Sequence, residues 1–123
     1  MDNVKMNIWN RPFQLKVIFE CYGEQVPASE QKTRLEAFIE NDEGINSALE
    51  EVKKYCLEDE KMVDDGNNFN VFKYVIPTSI YVKRKEKQGI VALLCDYKFD
   101  IEHGIAIVFE KGDFVKIVSQ GDI

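Results

Sequence analysis

Along the chain, apolar and polar positions fall into two periods, and the change from one to the other divides the sequence into strands and helices. Phe13, Leu15, Val17, Phe19 and Cys21 alternate with Gln14, Lys16, Ile18 and Glu20, a period of two that predicts a half-buried strand over about 12–22. Trp9, just upstream in an otherwise polar start, is expected to anchor against the same core. Tyr22-Gly23 ends that strand. Pro27-Ala28-Ser29 then opens a first helix, with the Ser29 hydroxyl able to accept from an unpaired backbone N–H and Glu30 favouring the positive end of the helix dipole. Leu35, Phe38 and Ile39 supply its buried stripe. A second helix runs from an Asp42 cap to about Leu57, with Ile45, Leu49, Val52 and Cys56 at spacings of four, three and four, and Ala48 and Tyr55 widening the face. Glu50, Glu51, Lys53 and Lys54 lie opposite. So short a link implies an antiparallel helical hairpin.

Periodicity then lapses. Residues 58–70, EDEKMVDDGNNFN, concentrate Asp, Asn and Gly and read as a loop. Asn70–Ile76 and Ser79–Arg84 are apolar and aromatic enough for strands, interrupted by Pro77, which cannot donate to a ladder and marks a bulge, a bend or an edge. Lys83 to Gly89 forms an exposed turn. The stretch Gly89–Ile123 predicts a three-strand antiparallel meander. In it, Ile90–Cys95 is an apolar run suited to a strand covered on both faces, and Ile105–Phe109 is a second run. Lys111-Gly112-Asp113 reverses the chain into Phe114–Val118. Helices gathered between strands imply one α+β domain over residues 1–123. The expectation is two layers, an antiparallel sheet of five to six strands with the helical hairpin on one face, in the order β-α-α-β-β-β-β-β.

Composition changes this picture in two respects. Cys21, Cys56 and Cys95 are odd in number and have apolar neighbours, which suits buried free thiols in a reducing compartment rather than a disulfide framework. No window is long and apolar enough for a bilayer span, and the first residues lack the form of a secretory signal, so a cytosolic location is the expectation. Charge is the second respect. The net charge is −6, and residues 42–65 hold nine carboxylates against three lysines, which equals the whole excess. Such a surface repels phosphate backbones and attracts basic proteins, so a protein partner is expected and direct nucleic-acid or membrane binding is not.

Candidate chemistry is sparse. Asp96, Asp100, Glu102 and His103 are the densest group of functional residue types, and a small hydrolase or metal-dependent enzyme would use them. A metal or general-base site needs further convergent ligands, and His103 is the sole histidine, so Asp100-Ile101-Glu102-His103-Gly104 is expected to be a hairpin turn with Gly104 in an unusual backbone conformation. A Cys95–His103 thiolate–imidazole pair is disfavoured by the apolar run around Cys95. Asp64-Asp65-Gly66-Asn67-Asn68 fails as a calcium loop, because Lys61, Val63 and Phe72 would occupy ligand positions. Lys83–Lys87 reads as solvated edge protection. No catalytic residue, metal or cofactor is expected.

The chain resembles a group of small bacterial α+β domains found partly among toxin–immunity loci. The resemblance lies in the Trp9-led strand with Phe13–Phe19, the helix opening Ser29-Glu30-Gln31 and continuing through Leu35 and Phe38, and the closing stretch Asp100–Phe109. More broadly, a short acidic domain of this kind looks like the immunity partner of a contact-dependent growth-inhibition or polymorphic toxin. That resemblance implies stoichiometric inhibition of a cognate, often basic, nuclease. Residues expected to meet such a partner are Glu50, Glu51, Glu58, Asp59, Glu60, Asp64 and Asp65, with Tyr55 and Phe69 as aromatic anchors. A regulatory domain binding some other protein is a further alternative.

Overall fold

The computed structural model describes residues 3–20, 29–59, 61, 70–83 and 89–123, with the backbone alone for Ser29 and Glu30. The elements are β1 (Asn3–Ile8), β2 (Arg11–Phe19), α1 (Ser29–Glu40), α2 (Asp42–Leu57), β3 (Val75–Val82), β4 (Ile90–Tyr97), β5 (Ile105–Glu110) and β6 (Asp113–Ser119). The strands form one six-stranded sheet in the spatial order β1-β2-β3-β4-β5-β6, so the fold is α+β.

Among the described residues two strands precede the helices and four follow, where one and five are expected from the sequence. The additional strand is β1. Its alternation is short, with Met6 and Ile8 buried and Lys5 and Asn7 exposed. It turns into β2 through Trp9 and Asn10, both at positive φ (52° and 69°) between the paired residues Ile8 and Arg11. Such a two-residue turn matches the strand twist but is ordinarily marked by Asn-Gly, which this chain lacks. Downstream, the expected pair of strands around Pro77 is a single strand. Val71–Lys73 forms a short 3-10 turn capped by the Asn70 side chain, and β3 carries a bulge between Pro77 and Ser79. Thr78 Oγ1 donates to the Leu94 carbonyl at 3.2 Å beside the proline, which has no N–H of its own.

The sheet is not wholly antiparallel. β2 and β3 run parallel, with Lys16 opposite Ser79 and Phe19 opposite Val82, while every other neighbouring pair is antiparallel. A parallel pair needs a long crossover, and α1 with α2 supplies it. Gln31, buried near the start of α1, ties that crossover to the strand ends. Its Nε2 donates to the carbonyls of Glu20 at 2.8 Å and Lys83 at 3.2 Å.

Apolar periodicity puts the main core between the helices and one sheet face. Ile45, Ala48, Val52 and Cys56 form the buried stripe of α2 and meet Leu15, Ile80, Leu93, Ile107 and their neighbours in one cluster. On the other face Ala92, Leu94, Ala106 and Val108 make a smaller cluster bordered by Ile18, Tyr81, Val118 and Ile123, which explains why β4 is apolar at successive positions.

The start of α2 differs from the expected Asp42 cap. Asn41 is the cap, accepting from Gly44 N at 3.1 Å, while Asp42 and Glu43 occupy the first turn, where they complement the dipole. Asn41 Nδ2 also donates to Gly112 O at 2.8 Å in the β5–β6 turn, and one helical turn further on Ile45 O accepts from Trp9 Nε1 at 2.9 Å. Tips of the two outermost hairpins therefore converge on the beginning of one helix. A flat six-stranded sheet would hold its edges about 24 Å apart, so this sheet curls toward α2, which touches both β1 and β6. Gly44 is needed at that junction, because a Cβ there would lie 2.4 Å from Gly112 O.

Candidate protein-binding face

With its apolar stripe turned to the sheet, α2 presents the remaining arc outward. At 100° per residue Glu43, Glu50 and Lys54 fall together, Glu51 and Glu58 lie on the adjoining side, and all are exposed. Lys53 makes an i,i+3 pair with Glu50 at 3.6 Å, an interaction of little stabilising value at such exposure. Glu43, Glu50, Glu51 and Glu58 thus run along one side of α2 and its C-cap, while Asp42 and Asp59, the other described acids of this segment, lie off that row. Glu60, Asp64, Asp65 and Phe69 lie outside the described residues, as do the calcium-like stretch 64–68, Cys21 and residues 84–88 of the basic turn.

Two of the expected contact residues, Asp59 and Tyr55, are half-buried and partnered within the chain. Asp59 is half-buried, its Oδ2 accepting from Tyr97 Oη at 2.8 Å and its Oδ1 from Lys61 N at 2.9 Å. Tyr55 packs against Tyr97 with ring centroids 5.6 Å apart, and burial followed by the nearby Asp59 charge pushes its hydroxyl pKa up. Burial first and then the hydrogen bond to Asp59 push Tyr97 up as well. Both phenols are neutral near pH 7. Leu57 (53%) and Ile101 (84%) are exposed apolar residues outside the expected set. Leu57 falls off the Ile45–Cys56 stripe and Ile101 is an isolated apolar residue in a polar turn, signals present in the sequence and easily passed over.

Residues 98–104 connect β4 to β5 as the expected turn. Gly104 has φ +63° and donates to Asp100 O at 2.9 Å, while His103 N and Nδ1 meet Asp100 Oδ1 at 3.3 and 3.0 Å. The side-chain bond from His103 holds Asp100 below the ordinary carboxylate range. Asp96, by strand alternation, lies on the other side of the sheet from Cys95 and Tyr97, and Glu102 is exposed in the turn. The structure therefore brings together Asp100 and His103 of that quartet and separates Asp96 from them. No group of three or more His, Cys, Asp or Glu among the described residues could hold a metal ion.

Cys95 and His103 do not share an environment, since Cys95 is fully buried on the helix side of β4 and His103 is exposed. Burial is the main cause that pushes the Cys95 thiol far up, and its Sγ lies 3.8 Å from Leu93 O. Cys56 is pushed up to about 11, again by burial first and then by Asp59. Both are free, protonated thiols at neutral pH.

Two concavities flank this face. A groove of about 910 Å³ lies where the α1–α2 junction meets the far end of the meander, lined by Arg34, Phe38, Asn41, Phe109 and Lys111 among others. A hollow of about 500 Å³ lies between the end of α2 and the β4–β5 turn, with Tyr55, Asp59, Tyr97, Phe99, Asp100 and His103 around it. No helix among the described residues is long and apolar enough to cross a membrane.

Over residues 1–123 the chain matches a protein family described as a domain of unknown function (DUF6985), and it belongs to that family. Neither among curated proteins nor among solved structures is any significantly similar to it.

Proposed function

We propose that this chain is a protein-binding module of the immunity type, which neutralises a basic, nuclease-type bacterial toxin domain in the cytosol of the cell that makes both. The observation that carries this reading is the exposed row Glu43, Glu50, Glu51 and Glu58 along one side of α2, in the segment that holds the chain's whole negative excess. The four acids outnumber Lys53 and Lys54, which lie on or beside the same row, and a face of net negative charge raises the encounter rate with a basic surface and orients it. Leu57 and Ile101, exposed near the lower end of that row and on the neighbouring turn, provide apolar contact once water is excluded. A nuclease covered by this face loses access to its phosphate substrate, and the acidic chain itself has no attraction for that substrate.

Co-expression with the product of the neighbouring gene, followed by growth rescue and pull-down, tests the reading. The expected outcome is rescue together with a stoichiometric complex. Reversing three exposed acids, Glu50→Lys, Glu51→Lys and Glu58→Lys, is expected to slow association about 10- to 100-fold at low salt. Thermal stability should hardly change, since all three are exposed. Full association by the reversed variant contradicts the acidic interface. A regulatory domain that uses the same face for another basic partner would form a complex without rescuing growth.

A further inference from the structure

We propose that the hollow between the end of α2 and the β4–β5 turn receives an arginine side chain of the basic partner. The proposal rests on the docking reading above and names the group that anchors it. Tyr97 and Ile105 are buried at the base of this hollow of about 500 Å³, and Tyr55 and Phe99, both half-buried, form its walls. Tyr97 and Phe99 meet edge to face, with an interplanar angle of 83° and centroids 5.5 Å apart. Tyr97 is only 3% exposed and already carries Tyr55 and Phe99 against it, so the aromatic surface open to a planar cation is that of the half-buried Tyr55 and Phe99 rings at the walls. The chain already makes a contact of this kind elsewhere, with the Arg11 guanidinium 4.3 Å from the centroid of Phe72.

Charge at the rim favours a cation. Asp59 and Asp100 both border the hollow, and each carboxylate accepts two hydrogen bonds within the chain, one of the two at Asp100 coming from the His103 imidazole. A carboxylate has about four acceptor positions, so both retain capacity for an incoming donor. Lys61 and His103 are also at the rim, with Lys61 Nζ donating to Phe99 O at 2.9 Å and the His103 ring 3.0 Å from Asp100, so the Asp59 and Asp100 carboxylates outnumber the one fixed ammonium, and the site is most negative when the imidazole is neutral. Guanidinium suits the site better than ammonium because it is flat, stacks on aromatic faces, sheds water more readily and carries several donors in one plane.

The test uses N-acetyl-arginine amide as the probe, titrated into the full chain while the aromatic and amide NMR resonances are followed. Rings of Tyr55, Tyr97 and Phe99 are expected to shift, and N-acetyl-citrulline amide, similar in shape but uncharged, is expected to bind about tenfold more weakly. Asp59→Asn with Asp100→Asn keeps the acceptors for Tyr97 and His103 while removing both charges, and about a tenfold loss is expected from the pair. Tyr55→Leu removes a wall at similar volume and should weaken binding with the carboxylates intact. Absence of shifts at those rings, or equal binding of arginine and citrulline amides, overturns the proposal. Glu50→Lys with Glu51→Lys separates it from the docking reading. If that variant keeps full partner association while the arginine amide still shifts the rings, the acidic docking face is wrong and the pocket stands. If it loses partner association while Tyr55→Leu and the Asn pair leave association unchanged, the docking face stands and the pocket is wrong.

Discussion

Trp9→Ala lowers the unfolding free energy by about 3–5 kcal/mol, the range for removing a large aromatic side chain from a packed core. Trp9 is 7% exposed, its ring centroid lies 5.9 Å from that of Phe72, and its Nε1 donates to Ile45 O. It also occupies the first central position of a hairpin turn at φ +52°, a conformation that a bulky residue adopts only when its surroundings hold it there. The indole therefore holds the β1–β2 tip against α2 and, with it, the curl of the sheet. Urea unfolding followed by circular dichroism measures the loss, because the variant has no tryptophan left to report. Trp9→Phe keeps most of the apolar surface and loses the hydrogen bond, at an expected cost nearer 1–2 kcal/mol. Equal stability of Trp9→Ala and the parent chain would show that the tip is not held in this way.

Gly104→Ala carries the second large effect, about 2–4 kcal/mol of destabilisation, from a strained backbone and a clash with backbone together. Gly104 is buried with φ +63°, and a Cβ there would lie 2.5 Å from Cys95 O. That carbonyl belongs to β4 and cannot withdraw without disturbing the ladder to β5. The added methyl would also come within 2.6 Å of Gln120 Nε2, which donates to Cys95 O at 3.0 Å and to Ile105 O at 3.4 Å and so fastens the C-terminal turn to the meander. Thermal or urea unfolding should show the loss. Gly121→Ala is the control, since a Cβ at that position meets nothing within 4 Å and its effect should stay within about 0.5 kcal/mol.

Elements that bury one regular face were legible in the sequence. The α2 stripe Ile45, Ala48, Val52 and Cys56, the alternation of β2 and the closing meander all follow from apolar spacing, because burial enforces it. What escaped depends on distant partners. β1 became visible only once Met6 and Ile8 had β2 to pair with, and its Trp9-Asn10 turn carries no glycine to announce it. The parallel pairing of β2 and β3 joins residues some sixty positions apart, and periodicity within either strand is the same for both directions. The Asn41 cap prevailed over Asp42 because Asn41 also reaches Gly112, a contact made by the folded chain.

The candidate face divides along the same line. Helical spacing alone places Glu50, Glu51 and Glu58 opposite the core. It could not reveal that Tyr55, at the margin of the stripe, leans onto Tyr97, or that Asp59 is held by the Tyr97 hydroxyl. The aromatic hollow arises only when the end of α2 meets a turn about forty residues further along the chain.

Charge on α2 acting as the docking surface is the central claim, and the ionic-strength dependence of association with the purified toxin domain tests it most directly. The association rate constant of the parent chain should fall steeply as salt rises, and Glu50→Lys, Glu51→Lys, Glu58→Lys should begin lower and show a much flatter dependence. Identical rate constants and identical salt slopes for the two chains would contradict it.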